Sequence, residues 1–219
     1  MSVVKIPFTL VATMGLYRCY APPNIAAKHE QISRKSMTVW VVGVAEVAVI
    51  VASQLSSWPL SEPIISGLLT RNNPEVLQLT PVSITGALLI ASGALLREYC
   101  FRTLRHFFTF ELSIREGHQL ITTGPYNVVR HPSYTGAVAV TIGTLCWFGS
   151  QGSWLRQSGV LGTVWGKFVF GILGSAIVGA AIGALMRIPD EESTLKEKFG
   201  REWTDWAGRV PYLLIPGIY

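Results

Sequence analysis

The chain has 219 residues, a length suited to a single domain. Hydrophobic residues make up 49% of it and charged residues only 14%, whereas water-soluble domains carry about 25% charge. This composition argues against a water-soluble domain and predicts a membrane protein, in which the net charge of +5 marks cytoplasmic loops rather than a nucleic-acid surface. The three cysteines, Cys19, Cys100 and Cys146, are too widely spaced to indicate a disulfide framework or a zinc site.

Five apolar runs predict membrane-spanning helices, because a helix needs roughly 20 apolar residues to cross a bilayer. The first run, 3–20, is the weakest since Pro7 interrupts it. It can also be read as a signal peptide, but Lys5 is its only early charge and no small-x-small cleavage site follows. We therefore predict a retained span. The four clearer runs cover residues 37–55, 79–97, 133–149 and 160–186.

The positive charges between these runs predict the orientation. Fourteen Lys and Arg residues lie in segments 18–36, 97–132 and from 187 onward, against three on the other side. Excess Lys and Arg marks cytoplasmic segments, and five spans place all three rich segments on one face. The predicted fold is an all-α integral membrane protein with about five transmembrane helices and a cytoplasmic cap.

Within the spans, the small residues of 171–184 (GILGSAIVGAAIGA) permit close helix packing in lipid. Glu46 and Lys167 are ionisable residues inside predicted spans, which makes each a candidate functional residue by default. We favour the simpler interpretation for both, which is a polar interhelical contact or a side chain that reaches the interface.

The first polar stretch, 111–134, contains a short extended piece HQLI and a turn TTGPY. Pro132 suits the first turn of the helix that follows, where its missing N–H costs nothing. Arg130 can be explained simply as a positive flank of that span. A loop of this kind offers backbone donors and acceptors, so it can hold a small polar ligand.

The second polar stretch, 187–212, predicts a helix that leaves the membrane. One apolar face is formed at helical spacing by Leu195, Phe199, Trp203 and Trp206. Three acids, 190–192, crowd the first turn, where the helix dipole favours anions. Arg187 and Glu191 are four residues apart and share a face, either as part of a site or as a surface salt bridge.

The order of three segments resembles the isoprenylcysteine carboxyl methyltransferase family: GPYNVVRHPSYTG at 124–136, EESTLKEKFGREW at 191–203 and VPYLLIPG at 210–217. The resemblance covers about residues 97–219, which divides the chain into N-terminal transmembrane helices, 1–96, and a catalytic methyltransferase region, 97–219. It implies an enzyme of the endoplasmic reticulum membrane, with its site facing the cytoplasm. Such an enzyme methylates the C-terminal prenylcysteine of processed CaaX proteins with S-adenosylmethionine.

The resemblance also implies roles for individual residues. The positions that match cofactor contacts are His118, Gln119, Leu120, Ile121, Tyr126, His131, Pro132, Ser133, Tyr134 and Glu191. Among them, Glu191 matches the acid that holds the amino acid portion of the cofactor. Arg187 matches the arginine assigned to the substrate carboxylate. Glu111 stands where a relative has glutamine and receives no role, and no metal is implied.

The chemistry agrees with a carboxylate acceptor. A terminal carboxylate has an ordinary pKa near 3.5 and is already ionised at pH 7, so alignment with the methyl donor is needed rather than a general base. The guanidinium fork of Arg187 suits such an acceptor. Two alternatives stay open: a phospholipid N-methyltransferase, which shares the motifs, and a non-catalytic transporter or scaffold, against which the lack of internal repeats argues. The predicted partners are prenylated proteins or small prenylcysteines and the bilayer, with no nucleic acid.

Overall fold

The computed structural model describes residues 2–20, 35–55, 57–70, 74–105 and 119–218. The regular structure in these ranges is helical. The α-helices are α1 Lys5–Tyr20, α2 Lys35–Gln54, α3 Ser61–Leu68, α4 Pro81–Leu104, α5 Pro132–Gly149, α6 Trp154–Gln157, α7 Val164–Met186, α8 Ile188–Phe199 and α9 Arg201–Arg209. Short 3-10 helices cover Ser2–Val4, Pro74–Val76, Gly124–Asn127 and Val160–Gly162.

Each of the five predicted apolar runs forms a helix, namely α1, α2, α4, α5 and α7. Pro7 does not break α1, because it lies in the first turn, where no intrahelical N–H bond is lost. Two helical stretches, Pro81–Leu104 and Val164–Phe199, are long and apolar enough to cross a membrane. The all-helical fold class is confirmed by the described residues, and the number of spans stays a prediction.

Helices α4 and α5 pack closely through paired glycines. A Cβ atom on Gly93 would lie 2.6 Å from the Gly136 carbonyl oxygen, and one on Gly86 would lie 2.8 Å from the Gly143 carbonyl oxygen. Backbone therefore touches backbone at two points that are seven residues apart on each antiparallel helix. Around them lies a buried cluster formed with α1: Ala12, Leu16, Cys19, Ala87, Ile90, Ala94, Val140 and Trp147.

A buried ion pair joins the first two helices at the far end of α5. The Lys5 ammonium donates to the Glu46 carboxylate and to the Gly152 carbonyl oxygen, and the two charged side chains are 1% and 2% exposed. The backbone N–H of Trp154 also donates to Glu46 Oε1, at 3.3 Å. The interpretation of Glu46 as a polar interhelical contact is therefore confirmed. Lys167 lies exposed on α7.

The C-terminal region differs from the single helix that its periodicity predicts. Two helices, α8 and α9, meet at Gly200, whose φ of 52° lies in the left-handed region that glycine adopts readily. Gly200 donates its N–H to the Lys196 carbonyl oxygen at 2.8 Å, which ends α8. The aromatic residues Trp203 and Trp206 therefore belong to α9, and Trp206 is buried.

Candidate functional site

The start of α5 is held by the C-terminal tail. Arg130 and His131 donate their backbone N–H groups to the carbonyl oxygens of Tyr212 and Leu213, at 2.9 and 2.8 Å. One turn later, the Thr135 hydroxyl donates to the Leu214 carbonyl oxygen at 2.7 Å. The segments RHPSYT and VPYLLIPG, singled out from the sequence, therefore lie side by side, and the tail fixes the backbone on which the site is built.

Four polar side chains meet where α5 and α8 both begin. The Tyr134 hydroxyl donates to Glu191 Oε2 at 2.7 Å, and His131 Nε2 lies 2.9 Å from Glu192 Oε1. The rings of His131 and Tyr134 stack with their centroids 5.6 Å apart and an interplanar angle of 16°. Residues 57 to 61 positions apart in the chain thus form one cluster.

Arg130 belongs to this cluster, although it looks like an ordinary positive flank in the sequence. Its guanidinium binds Glu192, and both side chains are only 15% exposed. It also donates to the Pro211 carbonyl oxygen at 3.2 Å and stands over the Trp203 ring at 5.8 Å. Arg130 and Glu192 are site residues that the sequence reasoning missed, and the adjacency of Glu192 to Glu191 was the available signal.

Arg97 is a second cation hidden beneath the site. It is 7% exposed, and its Nη1 donates to the carbonyl oxygen and the hydroxyl of Ser133, at 3.1 and 3.2 Å. Its Nε donates to the Cys19 carbonyl oxygen at 3.3 Å. Arg97 therefore ties α1 and α4 to the first turn of α5, and it fixes the position of Ser133.

Tyr126 lies in the core below the cluster rather than on its surface. It packs with Cys100, Trp206 and Val210, and the Trp206 indole N–H donates to the Tyr126 carbonyl oxygen at 3.1 Å. Burial raises the pKa of the Tyr126 phenol well above its ordinary value, and the Cys100 thiol and the Glu191 carboxylate add to the effect. The phenol is therefore neutral and keeps its proton as a hydrogen-bond donor.

Arg187 joins α7 to α8, one turn before Glu191. Its side chain is half-buried and lies within electrostatic range of the Tyr134 hydroxyl. Glu191 is in contact with that same hydroxyl. Glu191 is therefore directed toward the start of α5, and Arg187, four residues earlier, is close enough for its charge to act on Tyr134.

The predicted site residues fall into three groups. The structure brings together His131, Pro132, Ser133, Tyr134, Glu191 and Arg187. Leu120 and Ile121 pack against the Tyr126 cluster, whereas Gln119 is exposed. His118 and Glu111 lie outside the described residues. No group of three or more His, Cys, Asp or Glu side chains suited to a metal ion occurs within the ranges that the structure describes.

Comparison with known proteins identifies a family that this chain resembles. Residues 86–154, from α4 to the start of α6, match the model of the isoprenylcysteine carboxyl methyltransferase (ICMT) family. This match agrees with the resemblance that the sequence motifs show. The matched region includes the RHPSY segment but ends before α8, so the geometry is what connects Arg187 and Glu191 to it.

Curated relatives that match this chain are named as protein-S-isoprenylcysteine O-methyltransferases. Protein-S-isoprenylcysteine O-methyltransferase B of Arabidopsis thaliana is 33% identical over 132 residues, which is 59% of this chain and 57% of that protein. The enzyme of Mus musculus is 30% identical over 143 residues, 63% of this chain and 43% of that protein. A probable enzyme of Oryza sativa subsp. indica is 29% identical over 139 residues, 63% of each chain. No solved structure matches significantly.

The chain thus spans between about two fifths and three fifths of the length of these curated relatives. The prediction of a methyltransferase agrees with their names. The match to this family and the two long apolar helices agree with the prediction of an integral membrane protein.

Proposed function

We propose that this protein transfers a methyl group from S-adenosylmethionine to the C-terminal prenylcysteine carboxylate of processed CaaX proteins. The observation that carries the proposal is the cluster at the starts of α5 and α8, where Glu191, Tyr134 and His131 lie together within range of Arg187. The cluster combines acceptors for a cationic group with a guanidinium for an anionic one.

The acceptors at this cluster fit the amino acid portion of the cofactor. Glu191 Oε1 and His131 Nδ1 lie 3.9 Å apart, and Glu191 is 32% exposed. A primary ammonium has three donors and can serve a carboxylate oxygen and a ring nitrogen at once. Glu191 also supplies the opposite charge, which strengthens such a bond. S-adenosylmethionine, when bound, supplies an electrophilic methyl group on a sulfonium centre.

Arg187 is the residue that suits the acceptor. A planar guanidinium grips a carboxylate through two parallel N–H bonds and thereby fixes its direction. Because the carboxylate is ionised at neutral pH, His131 is not needed as a base, and its contact with Glu192 agrees with a binding role. The contribution of the protein is then mainly the alignment of two reactants.

The topology that supports this reaction has α1, α2, α4, α5 and α7 as five spans, with the cluster on the cytoplasmic side of the endoplasmic reticulum membrane. In this arrangement residues 1–96 form the N-terminal helices and 97–219 the catalytic region. A soluble cofactor then enters from the cytoplasm. A prenyl chain partitions into lipid, gaining roughly 0.8 kcal/mol per buried CH₂, so the acceptor enters from the bilayer.

Methyl transfer to two acceptors tests the proposal. Purified protein in lipid nanodiscs is incubated with radiolabelled S-adenosylmethionine and either a farnesylated cysteine analogue or phosphatidylethanolamine. We expect label on the prenylcysteine and none on the lipid amine. Label on the lipid amine alone would refute the proposal in favour of a phospholipid N-methyltransferase. Failure to bind the cofactor would refute a methyltransferase of either kind.

A further inference from the structure

Two adjacent acids at the start of α8 have different surroundings. Glu191 is 32% exposed and contacts the Tyr134 hydroxyl, while its other oxygen lies 3.9 Å from His131 Nδ1. Glu192 is 15% exposed, and its Oε2 binds the Arg130 guanidinium while its Oε1 contacts His131 Nε2. The two carboxylates therefore approach the two nitrogens of one imidazole ring from opposite sides.

We propose that Glu192, held by Arg130, is a positioning residue that fixes the orientation and the tautomer of His131. This inference rests on the proposed function, because it assigns to His131 the task of receiving the cofactor. Neither Arg130 nor Glu192 matches a position to which the family resemblance gave a role.

The chemistry of the contact determines where the proton lies. A carboxylate that binds a guanidinium is a hydrogen-bond acceptor, so a 2.9 Å contact with His131 Nε2 requires that nitrogen to carry the hydrogen. In a neutral ring, Nδ1 then has a free lone pair. That lone pair lies beside Glu191, and the two acceptors together are suited to one cationic amino group.

Arg130 keeps Glu192 in place because it is itself fixed on several sides. Its backbone N–H and its Nη2 bind the carbonyl oxygens of Tyr212 and Pro211, at 2.9 and 3.2 Å. Its guanidinium also covers the Trp203 ring at 5.8 Å. The tail, the start of α9 and the start of α8 therefore act on His131 through one chain of contacts. Histidines that bind metals are oriented by a carboxylate in the same way.

The tautomer can be observed directly by NMR. The full-length protein, labelled with ¹⁵N-histidine and held in detergent micelles, is examined by long-range ¹H–¹⁵N correlation, and the His131 signal is identified from a His131→Gln variant. We expect the neutral ring to carry its hydrogen on Nε2. A ring with its hydrogen on Nδ1, or an imidazolium under the same conditions, would overturn the inference.

Variants of Glu192 separate positioning from simple packing. Glu192→Leu removes the acceptor, so the preference for Nε2–H is lost and cofactor affinity falls roughly 10-fold, as for removal of the partner of a metal-bound histidine. Glu192→Gln keeps an acceptor oxygen and restores both readouts in large part. If Glu192→Leu does not fold, the wild-type tautomer and Arg130→Gln still decide, because loss of the guanidinium that holds Glu192 should weaken the preference for Nε2–H, and an unchanged preference would overturn the inference.

The two proposals fail in distinguishable ways. If the wild-type protein methylates the prenylcysteine analogue but Glu192→Leu keeps both the tautomer and the affinity, the positioning role is refuted and the proposed function stands. If the wild-type protein binds no S-adenosylmethionine, the proposed function is refuted, and with it the role given to His131.

Discussion

Replacing Glu191 by glutamine is the sharpest test of the cofactor site. In the wild type, the Tyr134 hydroxyl donates a hydrogen bond to Glu191 over 2.7 Å. The variant keeps the shape of the side chain and an oxygen that accepts this hydrogen bond. What it removes is the negative charge beside His131 Nδ1. Any loss of affinity for S-adenosylmethionine therefore reports the charge of Glu191 rather than a collapsed contact.

The size of the effect follows from the exposure of the group. Hydrogen bonds to charged groups contribute about 1.5–3 kcal/mol. Glu191 is 32% exposed, so water screens it in part and we expect the lower half of that range. A loss of about 1.5–2 kcal/mol corresponds to a fall in affinity of roughly 10- to 30-fold.

Equilibrium binding by isothermal titration calorimetry on purified protein measures this loss. Glu197→Gln is a matched control, because Glu197 is exposed on the same helix α8 and also loses one negative charge. We expect Glu197→Gln to bind as the wild type does, and both variants to unfold at the wild-type temperature. An affinity of Glu191→Gln within twofold of wild type, or an equal loss in Glu197→Gln, would refute the assignment of Glu191.

Three further predictions address the acceptor, the core and the far end of the molecule. Arg187→Lys keeps the positive charge but loses the guanidinium fork, so methylation of a farnesylated cysteine analogue should fall roughly 10- to 150-fold. Calorimetry should find the affinity for the cofactor little changed. A variant with full methylation activity would contradict this prediction. Gly93→Ala places a methyl group 2.6 Å from a carbonyl oxygen and should lower the free energy of unfolding by about 1–3 kcal/mol. Gly174→Ala is the control, because a methyl group there meets nothing within 4 Å and should not lower this free energy. Equal denaturant midpoints for the two variants would contradict the prediction. Lys5→Met should lower the free energy of unfolding by about 3–5 kcal/mol in the same assay, because it leaves the buried Glu46 carboxylate without its partner. The double variant Lys5→Met, Glu46→Met should recover most of that stability. A double variant as unstable as the single one would show that other contacts dominate.

The helices were predictable because each long apolar run has one stable conformation in a membrane. The division between α8 and α9 was not, because the aromatic spacing continues across Gly200 as it would in one helix. The left-handed conformation of Gly200 separates the two helices. The sequence does not reveal this conformation, because an isolated glycine is also tolerated within an uninterrupted helix.

The sequence predicted some residues of this cluster but not the contacts between them. The resemblance pointed to His131, Tyr134 and Glu191, and these residues do lie together. It could not tell which of two neighbouring acids faces which partner, since adjacent residues differ by about 100° around a helix axis. Arg97 was counted among positive charges outside the membrane, yet it is 7% exposed. A charge count does not distinguish a solvated arginine from one that binds carbonyl groups inside the protein.

The packing of α7 shows why these polar contacts matter for more than ligand binding. On α7, Gly166 is the buried residue, and a Cβ atom at Gly174 or Gly183 would meet nothing within 4 Å. Helix α7 therefore buries fewer residues than α4 or α5. Helix α8 follows it directly, and Glu191 and Glu192 contribute contacts that hold α8 against the start of α5. A ligand that binds Glu191 replaces or strengthens part of this attachment. Added S-adenosylmethionine should therefore protect the amides of α8 from hydrogen exchange, and unchanged exchange at saturating cofactor would contradict this.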